Sequence, residues 1–321
     1  MPDSWTWHRP RTDCADSVAG LVSALAEQGL VLLDDVAGPD ALLRLASSIA
    51  TVVPHRDSDP TGLTTIADVG GRVPSGFAGF SACALNPHTD RSGIADPPIL
   101  LMMSCGQPGS SGGECVAIDG KAVYDDLAGS HPRALEALGA PRSTLFGGAA
   151  GHLGSVFTRT GDRLILRLRL DELSQFSPEV IHWLPVLRAT IDRHAQIFRL
   201  NAGQGYILDN YRWLHGRRAF TGQRVMYRAH GNPLPHLGIT PGFQPARLPG
   251  RITWLLSPWD HLVHAFRVEK IGEVVAEALC EHSATASRLT DQDGRRCLAC
   301  LLLHGDDLAG RHGEMTTRWG T

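Results

Sequence analysis

The chain has 321 residues, 43% of them hydrophobic, with 30 Lys and Arg against 33 Asp and Glu and a formal net charge of −3. That length carries one large domain or two modest ones with a sizeable core, and the near-neutral charge argues against nucleic acid or a membrane surface as partner. No apolar run is long enough to cross a bilayer, and Met1-Pro2-Asp3-Ser4-Trp5 lacks a signal-peptide pattern, so a cytoplasmic protein is expected. Seven cysteines are an odd number without small-scaffold spacing. They are expected as thiols or metal ligands, not disulfides.

Val18, Leu21, Val22 and Leu25 recur at helical spacing over 15–27, and Gly29 stops that helix. Residues 29–33 read as a buried strand. Pro39 opens a second helix with Leu42, Leu43, Leu45, Ala46 and Ile49 as its stripe. Residues 54–87, rich in Gly, Pro, Asp and Ser, read as a long functional loop or lid. A continuous apolar strand is expected at 99–105, a loop at 107–113 and a short helix at 119–127. Residues 145–170 hold two strand-like stretches around Thr160-Gly161-Asp162. There Arg163, Arg167 and Arg169 alternate with apolar residues, which predicts a strand with one solvated face. Ser177-Pro178-Glu179 opens a helix that continues through 186–195. Strands follow at 197–200, 205–208 and 224–230.

Many short strands after a helical pair predict a mainly β protein with flanking helices, a double-sheet jelly roll over 1–240. Pro241, Pro245 and Pro249 mark a linker, so 241–321 is expected as linker and helical extension. Helices are predicted over 252–266 and 268–281. Trp254, Leu255, Leu256, Trp259, Leu262, Val263 and Phe266 crowd the first of them. That surface must be buried, by covering a sheet or by a contact in a homo-oligomer. Cys280-Glu281-His282, Cys297-Leu298-Ala299-Cys300 and His304 allow two readings, a zinc knot or reduced thiols packed in a helix pair; the second is expected.

The chemistry concentrates in two segments. His88-Thr89-Asp90 places a histidine and a carboxylate two residues apart, on one side of an extended chain. A second histidine, His215, follows Leu208-Asp209-Asn210-Tyr211-Arg212-Trp213-Leu214. Two imidazoles and one carboxylate are the facial triad that holds Fe(II) with an open face. Arg224 and Arg228, an R-x-x-x-R pair, come after His215. Asp209 and Asn210 are expected to shape the turn before His215.

These pieces, with Pro97-Pro98-Ile99-Leu100-Leu101 and Gly112-Gly113-Glu114-Cys115 between them, resemble the Fe(II)/2-oxoglutarate dioxygenases of the taurine dioxygenase and clavaminate synthase type. The likeness runs in family order over about 15–235. It implies a double-stranded β-helix, Fe(II), 2-oxoglutarate and O2 as cofactor and co-substrates, and a small-molecule substrate. It implies His88, Asp90 and His215 as metal ligands and Arg224 as the fork for the far carboxylate of 2-oxoglutarate. It implies Arg228 as a holder of substrate, with pairing to a structural Asp or Glu as the alternative. Arg91 beside the metal segment is a substrate candidate with an ordinary ion pair as its alternative. Cys115 stands where relatives carry Thr or Ser, whose hydroxyl assists that carboxylate; a thiol is a weak donor. Asp90 stands where related halogenases carry Ala or Gly, which favours oxygenation. The expected reaction hydroxylates, desaturates or cyclises an unactivated C–H bond of a small polar, amino-acid-like metabolite of specialised metabolism. A non-catalytic metal-binding jelly roll acting as sensor or scaffold is the alternative.

Overall fold

In the computed structural model, residues 6–11, 15–246, 252–272 and 274–305 are described. The chain divides into two compact units, Met1–Pro245 and Ala246–Thr321.

The first unit begins with an amphipathic pair of helices, Ala15–Gln28 and Gly38–Ile49. Pro39 sits in the first turn of the second, where its missing N–H leaves no bond unmade. Leu42, Leu45, Ala46 and Ile49 form its buried stripe. They pack on a large sheet ordered Trp7–His8, Leu30–Leu33, Gly205–Asp209, Leu100–Gln107, Val225–Pro233 and Ala50–Val52, with Leu63–Ala67 also paired to Val225–Pro233. A smaller sheet is ordered Gln196–Phe198, Cys115–Asp119, Trp213–Arg217 and Leu85–His88. Its outer residues Ile118 and Leu214 pack with the helices Gly120–Ser130, Pro132–Gly139 and Pro178–Arg193.

Between the sheets lies a third core. Leu101, Met103, Tyr206 and Met226 of the large sheet meet Cys115, Ala117, Phe198 and Trp213 of the small one. This alternation of inward and outward side chains lets one strand serve two cores. Fully burying a Leu or Phe side chain contributes about 1.5–3 kcal/mol.

Several expectations change in detail. Residues 54–87 are more ordered than a lid: they contain the strand Leu63–Ala67, a turn of 3-10 helix at Ala78–Phe80 and the strand Leu85–His88. Ser177 caps its helix, accepting from the Val180 N–H. The hairpin Phe157–Thr160 with Arg163–Leu166 closes at Gly161. Arg163, Arg167 and Arg169 do not form a solvated face. Arg163 donates to the carbonyls of Pro241 and Gly242, Arg167 to those of Ser92 and Ala95, and Arg169 to Asp171.

The second unit corrects the helical extension. Ile252–Leu256, Val263–Ile271, Val275–Ala278 and Ser283–Thr285 form a four-stranded antiparallel sheet, followed by helix at 298–305. The turn Ser257–His261, with His261 at φ 55°, splits the run that sequence spacing joined into one helix. Among the described residues, no helix is long and apolar enough to cross a membrane. Cys14 lies outside the described residues.

Candidate active site

Strand Leu85–His88 pairs antiparallel with Trp213–Arg217, and the register sets His88 opposite His215. Their rings lie 4.3 Å apart between centroids. A side chain at Gly216 would meet the Leu85 carbonyl oxygen at 2.7 Å, so only glycine lets these two strands approach. His88 donates from Nδ1 to the Asn86 carbonyl at 2.8 Å. That bond fixes the tautomer and leaves Nε2 as the lone-pair nitrogen. His215 is buried, and its Nδ1 has no partner. Burial lowers the pKa of both histidines, His215 the more strongly. Both are therefore neutral near pH 7, the form a metal accepts.

Asp90 follows on a segment clamped from two sides. Thr89 exchanges hydrogen bonds with the Leu168 backbone. Asn210 accepts from the Asp90 N–H at 2.7 Å and donates to the carbonyls of Asp90 and Pro98, each at 3.0 Å. Tyr211 donates its hydroxyl to Pro97, and Asp209 accepts from the N–H groups of Tyr211 and Gly242. The stretch before His215 thus shapes the turn and holds the opposing metal segment as well.

The Asp90 carboxylate is already engaged. Its Oδ2 accepts from Arg228 Nη1 and pairs with His230 Nε2, each at 2.9 Å, and its Oδ1 accepts from the Arg91 N–H. Burial alone would raise its pKa, but Arg228 and then His230 hold it well below the usual carboxylate range. A carboxylate has about four acceptor sites, so capacity for a cation remains. The donor set fits a divalent metal: two neutral imidazoles, each with an unengaged nitrogen, beside an ionised carboxylate. The three donors are not gathered within 4.8 Å of one another, a closeness that, among the described residues, is reached only in the second unit. Arg228 and His230 draw the carboxylate to their side.

These residues open on a cavity of about 770 Å³. Its buried lining includes Arg224, Arg217, Cys115 and Tyr206. Gly112 and Gly113 sit at φ 67° and 75°, and a Cβ on Gly113 would stand 3.1 Å from Arg224 Nε. Gly113 therefore makes room for that guanidinium, and Gly112 for the Ala219 carbonyl. Burial pushes the Cys115 thiol up to about 11 against the pull of Arg224, so it stays protonated. Arg217 is the residue that sequence reasoning passed over. It donates to the Ser81 carbonyl, yet its Nη1 is buried without a partner. Burial and the neighbouring Arg224 lower it to about 10. Among the described residues no carboxylate lies within ion-pair distance of Arg217 or Arg224. Two buried cations without a counterion form a ready anion site.

Arg228, expected at the substrate, lines the cavity and pairs with Asp90. Arg91, at φ 55°, lines the cavity and donates to the Pro54 carbonyl at 3.1 Å. The mouth carries both signs of charge, with Arg72 and Glu172 beside the Arg169–Asp171 pair.

The family model for the taurine catabolism dioxygenase TauD, TfdA family matches residues 5–163, which include His88 and Asp90. No curated protein sequence matches the chain. Among solved structures, an asparagine oxygenase in complex with Fe(II), 2S,3S-3-hydroxyasparagine and succinate is similar at 16% identity and TM-score 0.53, over 70% of this chain and 86% of that one. The non-heme iron oxygenase OrfP with Fe and alpha-ketoglutaric acid is similar at 13% identity and TM-score 0.53, over 68% of this chain and 80% of that one. A second complex of OrfP holds Fe, succinate and (3S)-hydroxy-L-Arg, at 12% identity and TM-score 0.53, over 68% and 81%. The family match covers just under half of the chain, and with a fold shared with these oxygenases the chain is similar to the TauD, TfdA family of dioxygenases.

Proposed function

We propose that this chain is an Fe(II)- and 2-oxoglutarate-dependent oxygenase on a double-stranded β-helix. It hydroxylates an unactivated C–H bond of a small, polar, amino-acid-like metabolite and converts 2-oxoglutarate to succinate and CO2. The observation that carries the reading is one cavity with His88 opposed to His215 and two buried guanidinium groups without carboxylate partners among the described residues.

His88, Asp90 and His215 would hold the iron, and Arg228 with His230 position the Asp90 carboxylate. When bound there with 2-oxoglutarate and O2, iron supplies the oxidising chemistry that inserts one oxygen atom into the C–H bond. Arg224, supported by Arg217, takes the far carboxylate of 2-oxoglutarate in a planar fork. Cys115 contributes packing and a weak donor there. Met103, Met226 and Tyr206 line the same wall and exclude water from it. At the mouth, cationic and anionic groups suit a substrate that carries both ammonium and carboxylate, with Arg91 at its edge. The similar solved structures hold hydroxylated asparagine and arginine, which supports an amino-acid-like substrate. A metal-binding scaffold would need neither buried guanidinium.

The test is a panel of amino acids incubated with iron, ascorbate and 2-oxoglutarate. The expected result is succinate together with a product heavier by one oxygen atom, both lost in His88→Ala and His215→Ala. Iron-loaded protein that forms no succinate with any of them, or variants that retain it, would sink the reading.

A further inference from the structure

In the second unit, four potential metal ligands converge from three separate segments. His264 lies on strand Val263–Ile271, Cys280 at the turn between Val275–Ala278 and Ser283–Thr285, and Cys297 and Cys300 at the start of the helix 298–305. One ligand atom from each lies within 4.8 Å of the other three. His264 Nδ1 is 3.2 Å from Cys280 Sγ and 3.7 Å from Cys300 Sγ, and Cys280 Sγ is 3.9 Å from Cys297 Sγ. In a tetrahedral zinc site, bond lengths of about 2.3 Å to sulfur and 2.0 Å to nitrogen set edges of roughly 3.8 Å between sulfurs and 3.5 Å from sulfur to nitrogen. The observed separations straddle those edges.

The imidazole is oriented for this role. His264 Nε2 faces Asp260 Oδ2 at 2.8 Å, so Nε2 carries the proton and Nδ1 keeps its lone pair toward the sulfurs. His282 stacks on His264 with centroids 4.1 Å apart and planes 6° from parallel, and its Nε2 is 2.9 Å from Ser257 Oγ. Asp260 and His282 thus brace the ligand histidine from outside. As a mere core residue, a histidine buried to 2% exposure would aim Nδ1 at nothing better than weak thiol donors.

The unit also needs a staple. Its buried apolar cluster is Ala265, Phe266, Ala276, Ala278, Cys297 and Cys300, so three of its six members are alanine. Cores of domains below about 70–80 residues are usually completed by a metal or disulfides. The cysteines here are free.

We propose that His264, Cys280, Cys297 and Cys300 bind one structural Zn(II) as a closed Cys3His site. The three thiols bind as thiolates and give their protons to solvent, and no open position remains for catalysis. Of the residues weighed from sequence, His282 braces the site, and His304 packs edge-on against Trp254 outside it.

The test uses the purified full-length chain. Elemental analysis is expected to find about one zinc per chain, retained in His88→Ala and lost when Cys297 and Cys300 are both changed to Ser. Zinc-free protein from zinc-supplemented cells, or zinc unaffected by that double variant, overturns the proposal. Co(II) exchange into the unaltered chain is the second arm, independent of whether the double variant folds. The expected spectrum is intense and tetrahedral with sulfur-to-cobalt charge transfer, shifting toward a four-sulfur spectrum in His264→Cys with metal still bound. A weak octahedral spectrum, or an intact mass showing a native Cys280–Cys297 disulfide, refutes it.

Discussion

Arg228 donates to the carboxylate of Asp90 at 2.9 Å, joining a strand of the large sheet to the turn after Leu85–His88 across 138 positions of sequence. The cation that the R-x-x-x-R pattern offered to a substrate is committed to the proposed iron ligand. Removing it should therefore be read first in metal binding. Arg228→Ala is expected to weaken iron affinity and lower turnover in proportion. Breaking one side of a buried pair costs about 3–5 kcal/mol. Arg228→Lys keeps the charge and should recover part of the loss. Iron titration beside the substrate KM decides the matter: unchanged iron affinity with a raised substrate KM returns Arg228 to the substrate.

Just before the same strand, Arg224 stands beside Cys115 and Arg217 without a carboxylate partner among the described residues. Arg224→Ala is expected to raise the KM for 2-oxoglutarate by about two orders of magnitude, following the roughly 2–5 kcal/mol for truncating a hydrogen-bonded charge pair. Arg217→Ala should raise it less, because Arg217 is also tied to the Ser81 carbonyl. Cys115→Thr supplies a stronger donor and should lower that KM or leave it unchanged. Titrating 2-oxoglutarate at fixed iron tests all three; a larger defect in Arg217→Ala would reverse the assignment.

Acid should destabilise the protein through its buried histidines. His55 lies 5.7 Å from the His230 ring, and burial followed by the charge of Arg228 lowers its pKa from 6.5 to about 4. Its folded pKa lies below its unfolded one, so the unfolded chain binds more protons between those values. Stability is then full above about pH 6.5 and falls as pH drops toward 4. His88 and His215 shift in the same direction. Thermal midpoints of chelator-treated protein should decline over that window, less steeply in His55→Gln. A flat profile down to pH 4.5 contradicts the assignment.

The legible features were those written in local order. The helices over 15–28 and 38–49 follow from apolar periodicity and from Pro39, and the strand at 100–107 from its continuous apolar run. The strand register opposes His88 to His215, while the Asp90 carboxylate is engaged by Arg228 and His230. Illegible were the relations that depend on what lies across the fold. Arg217, two residues after His215, has no role legible in the sequence, because its burial and its orphaned Nη1 exist only once the sheets close. Arg228 reads as a free cation until Asp90 is placed before it. The second unit failed at the level of period. Trp254, Leu255, Leu256 and Leu262 fit a helical stripe on paper, but Ser257-Pro258 and Asp260-His261 break it into two strands. His264 escaped notice because its three cysteine neighbours lie from 16 to 36 residues away.

Asn210 offers the last test, of how the metal segment is held. Its amide makes three hydrogen bonds at 2.7–3.0 Å, two to the Asp90 backbone and one to the Pro98 carbonyl, and it is 2% exposed. Each such bond contributes about 0.5–1.5 kcal/mol, and each buried group left unpaired costs about 1–3 kcal/mol. Asn210→Ala orphans the Asp90 N–H and two carbonyls at once, so a loss of several kcal/mol is expected. Asn210→Asp keeps the acceptor for the Asp90 N–H but turns the donor into a second acceptor facing two carbonyls; it should be as damaging as Ala. Because the clamp sets where Asp90 stands, both variants should also lose iron affinity, with the 2-oxoglutarate KM moving less. Denaturant midpoints and iron titration separate the two effects. A variant destabilised yet unchanged in iron affinity at low temperature would reduce Asn210 to a folding role.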